Sequence, residues 1–244
     1  MPIYLGANKI GEIYLGSNEI SDAYLGSTQV YQNAPSYVAG MDIWLDAINN
    51  TGSGHNNNAS TWADLSGNGY NATISLSGGD RWTANSLAIQ NDNTCVRINA
   101  TKFTGNYTME FCVRLTANYN YGTLMRLVTN YTNRGAWIDS GGDTIFRVAS
   151  SYDTANTNLS ISALNTITMV NSGNTQKTYI NGVLKATYTR TPTGTTDTAF
   201  DVFASSARSN RHIKGEAYSF RYYASVLTDD EIRQNRQVDL ARFL

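Results

Sequence analysis

Charge is scarce in this chain: Asp, Glu, Lys and Arg supply 15% of the residues, and the formal net charge is −1. So thin a charge cannot build the basic field that a phosphate backbone requires, and nucleic acid is not an expected partner. Histidine is rarer still. His55 lies in a Gly/Asn-rich stretch and His212 beside Arg211, and neither accompanies a Gly-x-Ser-x-Gly turn, so no nucleophilic triad is legible. The two cysteines, Cys95 and Cys112, have no metal-ligand spacing. They read as free thiols of a reduced compartment, although spacing alone leaves their pairing open. No apolar run reaches transmembrane length, and the start Met-Pro-Ile-Tyr-Leu-Gly lacks the basic segment and apolar run of a signal peptide. A membrane partner is therefore not expected. Synthesis in a cytoplasm is, with any exterior role reached by assembly or another export route. Seven N-x-S/T sequons, at Asn49, Asn58, Asn71, Asn99, Asn106, Asn130 and Asn158, then say no more than the composition does.

What is abundant is Asn, Thr, Ser, Gly and Tyr, with 16 Tyr against three Pro. Asn and Gly tolerate turn conformations while Tyr and Thr suit a pleated surface, so many short strands are expected. The length suits one β domain of about 200 residues with a small appendage. The appendage is visible as a ten-residue repeat over 1–33. Ile3-Tyr4-Leu5-Gly6-Ala7 is followed by Ile13-Tyr14-Leu15-Gly16-Ser17 and Ala23-Tyr24-Leu25-Gly26-Ser27, with Ile10, Ile20 and Val30 closing the units. Each unit reads as a three-residue strand, a Gly-led turn and one more inward apolar side chain. Three such units cannot bury Ile3, Leu5, Ile10, Ile13, Leu15, Ile20, Leu25 and Val30 alone, so these residues are expected to pack in an oligomer or on another protein. A small ribbon folded back on the main domain is the alternative. Residues 34–40 read as a linker and 41–244 as the main domain.

Within the main domain, Tyr107, Met109, Phe111, Val113 and Leu115 alternate with Thr108, Glu110, Cys112 and Arg114, predicting a strand with one buried and one polar face. Val96 and Ile98 flank Arg97 likewise, and Tyr218, Phe220 and Tyr222 alternate with Ser219, Arg221 and Tyr223. Asn181-Gly182 between two strand-like runs predicts a type I′ hairpin. Thr228 with Glu231 predicts a capping box, and Leu227 with Ile232 a hydrophobic staple, opening a short helix whose C-terminal end would hold Arg233 and Arg236. Elsewhere turn signals separate short strands, so the fold class is all-β, an antiparallel sandwich.

Two resemblances add to this. The first thirty residues resemble the Ile-Tyr-Leu-Gly-Ser repeats near the start of bacteriophage tail and virion proteins. That likeness implies a virion-attachment element, virion-protein partners and a homo-oligomer, with a trimer favoured. Trp62-Ala63-Asp64-Leu65-Ser66-Gly67-Asn68-Gly69 is similar to an early turn of laminin-G-like, concanavalin A-like jelly rolls. Tyr107-Thr108-Met109-Glu110-Phe111, Tyr179-Ile180-Asn181-Gly182-Val183 and the end from Gly215 to Ile232 follow in that family's order. The resemblance covers most of 41–244 and implies a jelly roll that hosts lectins as well as glucanases. Cys112 departs from it, standing where the family commonly carries Trp.

Hydrolysis of a glycan needs two carboxylates facing each other across the scissile bond. On the best strand Glu110 has no acid beside it, and Arg114 is expected to hold it ionised. Asp42 and Asp46 lie four apart and read as an ion pair and a strand-end cap. No catalytic residue and no cofactor is therefore expected. A sugar site combines aromatic platforms with short polar side chains. The candidates are Tyr119, Asn120, Tyr121, Tyr131, Asn133, Asp139, Tyr152, Asn210 and Arg211. Each competes with a packing role, as does Trp137, whose commoner place is a core. Trp62 and Asp64 are assigned to packing and to the turn. Asp64 with Asn68, or Asp139 with Asp143, could supply oxygens to calcium, but no segment has the alternating acids of a calcium loop. The expectation is a non-catalytic, glycan-binding adhesion protein on a virion surface, made in the host cytoplasm. A purely structural decoration protein is the alternative, and a polysaccharide hydrolase a lesser one.

Overall fold

The computed structural model describes residues 36–91, 94–100, 102–117, 122–128, 135–147, 153–192, 197–203 and 212–244, and the strand backbones within 4–32. The chain divides into two compact units, Met1–Tyr37 and Val38–Leu244.

In the first unit each ten-residue repeat contributes an antiparallel hairpin. Tyr4–Leu5 pairs with Asn8–Lys9, Tyr14–Leu15 with Asn18–Glu19, and Asp22–Leu25 with Thr28–Gln32. The register repeats as well: Leu5 faces Asn8, Leu15 faces Asn18 and Leu25 faces Thr28. The period in sequence is thus a period in structure, with a second strand where only a closing apolar residue was expected. Leu5, Leu15, Leu25 and Val30 lie on these strands, whereas Ile3, Ile10, Ile13 and Ile20 lie outside the described residues.

The second unit is a sandwich of two antiparallel sheets, each of eight strands among the described residues. The first runs Arg81–Trp82, Leu87–Ile89, Lys214–Tyr223, Tyr107–Ala117, Leu164–Ser172, Thr175–Ile180, Val183–Thr189, with Ile43–Asp46 pairing with Ser219 to Tyr222 of Lys214–Tyr223 and Leu87–Ile89 with its Gly215 to Ala217. The second runs Asp153–Ala155, Thr144–Arg147, Gly135–Ile138, Gly122–Leu127, Phe200–Val202, Cys95–Ile98, Ala72–Ser75, Thr61–Trp62. Between them lies one core that includes Tyr107, Met109, Phe111, Val113, Leu115, Val96, Ile98, Phe200 and Phe220. The period-two alternation puts these side chains on the facing surfaces because successive residues of a strand point to opposite sides. Trp62 is 0% exposed in that core, 4.9 Å from Trp82 in an edge-to-face contact. Asp64 holds the turn as expected: it accepts from the backbone N–H of Trp44, Ser66 and Tyr70 and from the Ser66 hydroxyl.

The hairpin at Asn181-Gly182 has φ of +54° and +79°, the two left-handed residues of a type I′ turn. Tyr218 departs from the expected alternation. The Lys214–Tyr223 strand shifts register where Cys112 faces Ser219 and Val113 faces Ala217. That extra residue turns Tyr218 out of the main core, onto Phe243 and Cys112.

The C-terminal helix is longer than expected, fifteen residues from Asp229 to Phe243. Its capping box is present, with Glu231 N–H donating to Thr228 Oγ1 and Thr228 N–H to Glu231 Oε2. Leu227 and Ile232 join one apolar cluster, as a staple requires. Because the helix continues to Phe243, Arg233 falls near its start and pairs with Asp230, and the last turn is served by Arg242 instead. Arg236 lies midway and donates to Leu164 O and Thr166 Oγ1.

Candidate functional site

The polar face of the Tyr107–Ala117 strand is not an open surface. The C-terminal helix lies over it, burying Ile232, Asn235, Val238, Asp239 and Phe243. Residues 232, 235, 239 and 243 follow the three-to-four spacing of one helical stripe, but two of them are polar because the strand face beneath is polar. Glu110 is 0% exposed there and its partner is Arg221, not Arg114. Arg221 Nε donates to Glu110 Oε2 at 2.9 Å, while Nη1 and Nη2 grip Asp239 at 2.7 and 2.9 Å. Asn235 donates to Glu110 Oε2 at 2.7 Å, and Thr168 to Glu110 Oε1 at 3.0 Å. Arg114 instead meets Glu216 at 3.4 Å. Glu110 and Arg221 are register partners on adjacent strands, a pairing that no separation in sequence announces.

Burial pushes the Glu110 carboxyl above its usual range, with the Asp239 charge adding to the rise and Arg221 and Asn235 opposing it. The helix therefore does bring a second carboxylate near Glu110. Both are fully buried around one guanidinium. Asp42 pairs with Lys102 at 2.7 Å; Asp46 caps the short turn at Ala47–Asn49 and pairs with Arg242 at 2.8 Å. Cys95 and Cys112 are both buried free thiols.

The outer face of the second sheet has a different make-up. Register aligns Thr73, Arg97, Asp201, Arg126, Gly135 and Arg147 in one row across six strands. Partners in an antiparallel pair share a face, so three arginines and one aspartate stand side by side. Arg97 holds Asp201 through two contacts, at 2.8 and 3.2 Å. The Trp137 indole lies over Gly135, where a β-carbon would come within 2.2 Å of it. Trp137 is buried as expected, yet on this outer face rather than in the main core, whose members from its strand are Ala136 and Ile138. Thr123, its register partner, has a buried hydroxyl with no hydrogen-bond partner among the described residues. The alternation within each strand was legible; the row was not, because it depends on which strands meet.

Of the nine sugar-site candidates, only Asp139 falls among the described residues. Tyr119, Asn120, Tyr121, Tyr131, Asn133, Tyr152, Asn210 and Arg211 lie outside them. The flanking residues nevertheless sort the segments. Ala117 pairs with Lys214, Gly122 with Ile138, and Ile213 N–H donates to Phe203 O, whose own N–H reaches Leu124 O. The residues bounding 118–121 and 204–211, and the Asp139 turn, thus meet at one end of the sandwich. Val128 bonds to Ala199, Gly135 pairs with Arg147, and Phe146 with Asp153, so the bounds of 129–134 and 148–152 meet at the opposite end. Asp139 Oδ1 accepts from Gly141 and Asp143 N–H, and Asp143 Oδ1 from Thr157 and Asn158 N–H, so both acids close turns. Among the described residues no three His, Cys, Asp or Glu side chains gather as a metal site would require.

No curated protein matches the chain in sequence. Among solved structures, the binding domain of botulinum neurotoxin serotype D superposes with a TM-score of 0.60 at 16% identity, over 81% of this chain and 51% of its own length. The Trypanosoma rangeli sialidase gives 0.65 at 12% identity, over 89% of this chain and 36% of its own. Domain 4 of AbnA, a GH43 extracellular arabinanase from Geobacillus stearothermophilus solved in complex with arabinotriose, gives 0.59 at 14%, over 81% of this chain and 98% of that domain. The chain thus spans about half of the first of these structures and about a third of the second. At such identities the likeness is one of fold. The family description of the concanavalin A-like lectin/glucanases superfamily matches residues 89–233, and the chain belongs to that superfamily.

Proposed function

We propose that this chain is a non-catalytic carbohydrate-binding adhesion protein of a bacteriophage virion, in a fibre, tail or head decoration, that recognises host-surface or mucosal glycans. Residues 1–33 attach to other virion proteins and assemble the chain into an oligomer, a trimer by preference. The sandwich carries the sugar site, with Tyr119, Asn120, Tyr121, Tyr131, Asn133, Asp139, Tyr152, Asn210 and Arg211 as its candidate platform and hydroxyl contacts.

The observation that carries this reading is the burial of Glu110. The family joins lectins and glucanases, and here the strand glutamate best placed for hydrolysis is locked under a helix by Arg221 and Asn235. A neurotoxin binding domain and a domain solved with arabinotriose among the similar folds support a binding role. The test is a glycan array probed with the full chain, covering bacterial surface and mucosal glycans. Saturable binding to a defined set is expected, and silence across the array would overturn the reading. Polysaccharide turnover that Glu110→Gln abolishes would overturn its non-catalytic part. Unchanged adsorption but fragile particles after deletion of the chain would favour a purely structural decoration.

A further inference from the structure

The C-terminal helix covers the polar face of the Tyr107–Ala117 strand as far as Cys112, where Phe243 packs beside Tyr218. The same face continues past the helix end to Arg114, which is partly exposed, and Thr116, which is fully so. Register aligns Arg81, Ala88, Glu216 and Arg114 in one row across four strands, and such partners share a face. Two cations and one anion thus stand in line, with the small Ala88 between Arg81 and Glu216, and the row holds a positive charge in excess. The Glu216 carboxylate is well supplied with donors. Its Oε2 accepts from the Tyr218 hydroxyl at 2.6 Å and its Oε1 from the Ser86 hydroxyl at 3.2 Å. Arg114 is held far less firmly. Its side chain is 32% exposed, its Nη1 reaches Glu216 Oε2 only at 3.4 Å, and its Nε is buried with no hydrogen-bond partner among the described residues. The guanidinium lies over the Tyr218 ring, 5.5 Å from its centre, so an aromatic face backs it on one side.

We propose that this uncovered part of the first sheet binds a carboxylate-bearing sugar, of the uronic or sialic acid class, with Arg114 holding the carboxylate. A guanidinium presents its N–H donors in a planar fork that matches the two oxygens of a carboxylate. Arg114 commits one donor to a bond at the long limit, so turning its fork toward an added carboxylate sacrifices little and gains a charge-assisted pair. A ligand with a single negative charge neutralises the excess of the row, and Arg81 offsets its repulsion from Glu216. Glu216 is itself 27% exposed and suited to a ring hydroxyl: a carboxylate has roughly four lone-pair sites, of which Ser86, Tyr218 and Arg114 occupy three. Arg81, Arg114 and Glu216 are not among the nine sugar-site candidates. The choice of a sugar to carry the carboxylate rests on the glycan-binding reading above; the carboxylate site itself does not.

An NMR titration of the isotope-labelled full chain with sodium galacturonate reads the Arg114 Nε–H resonance, assigned by its loss in Arg114→Gln. A saturable shift is expected with galacturonate and none with galactose, its neutral counterpart. Calorimetry then compares oligogalacturonate with the same oligomer after reduction of its carboxyl groups. The acidic form is expected to bind about tenfold more tightly, and Arg114→Gln to abolish that preference without weakening the reduced form. Arg81→Gln should weaken the acidic ligand about threefold and make its binding less sensitive to salt. No shift at Arg114, an equal shift with galactose, or an acidic preference that survives Arg114→Gln would overturn the site, even if the glycan array is positive. A silent array together with a saturable galacturonate shift at Arg114 would overturn the glycan-binding reading and leave the carboxylate site standing.

Discussion

At the residue scale, Glu110 is the side chain whose environment differs most from its sequence context. Replacing it with Gln keeps an acceptor for Arg221 Nε and Asn235 and a donor or acceptor for Thr168. Replacing it with Ala leaves a buried guanidinium short of one partner, a loss of about 3–5 kcal/mol. Chemical denaturation should therefore find Glu110→Ala severely destabilised and Glu110→Gln much less so. The pH dependence has a definite sign. Burial raises the carboxyl above its ordinary range, so the folded chain keeps a proton that the unfolded chain has already released. This contribution to stability is complete below the unfolded carboxylate pKa and is lost as pH rises through the higher folded value. Melting temperatures followed upward from about pH 4 should fall less steeply in Glu110→Gln than in wild type; parallel curves would refute it. Asp46, raised by the same cause, remains in both proteins and cancels in the comparison. Gly135 offers a second residue-scale test. A methyl group there meets the Trp137 indole at 2.2 Å, so Gly135→Ala should shift tryptophan emission and cost about 1–3 kcal/mol.

At the scale of elements, the helix start was readable because capping is local: Thr228 and Glu231 satisfy each other's backbone N–H groups three residues apart. Thr228→Ala should lower stability by about 1 kcal/mol, visible in a urea titration as a shifted midpoint with unchanged slope. The helix end was not readable. Its buried stripe includes Asn235 and Asp239, polar residues that answer Glu110, Arg221 and Thr166 on the sheet, so no apolar periodicity marks it. The Asn181-Gly182 hairpin was legible for the same local reason as the cap. The turn also packs under the helix, where a β-carbon on Gly182 would lie 3.1 Å from Arg233. The bulge that reverses Tyr218 had no signal in the alternation of Tyr218 to Tyr223, because it is set by the partner strand.

At the scale of the whole molecule, the two units offer separate tests. The three hairpins of Met1–Tyr37 repeat one register, and the proposed assembly role predicts that the full chain sediments as an oligomer, a trimer by preference. A chain beginning at Ser36 should sediment as a monomer. Equal masses for the two would refute the role assigned to the repeat. Glycan binding should survive in the shorter chain, since the proposed sugar contacts all belong to the sandwich.

The sequence by itself determined the β sandwich, the Asn-Gly hairpin, the helix cap and the Asp64 turn. Each rests on interactions within about ten residues or on a side-chain period that one strand displays alone. Tertiary structure alone decided which polar face is covered. Alternation separates the two sides of a strand, and a polar side reads as solvent-facing until something packs on it. Here a helix more than a hundred residues further along brings Asn235 and Asp239 onto that side, turning what looked like an exposed glutamate into the buried centre of an ion network. The arginine row of the second sheet was hidden for the same reason: strand register aligns its members, and register is a property of the folded chain.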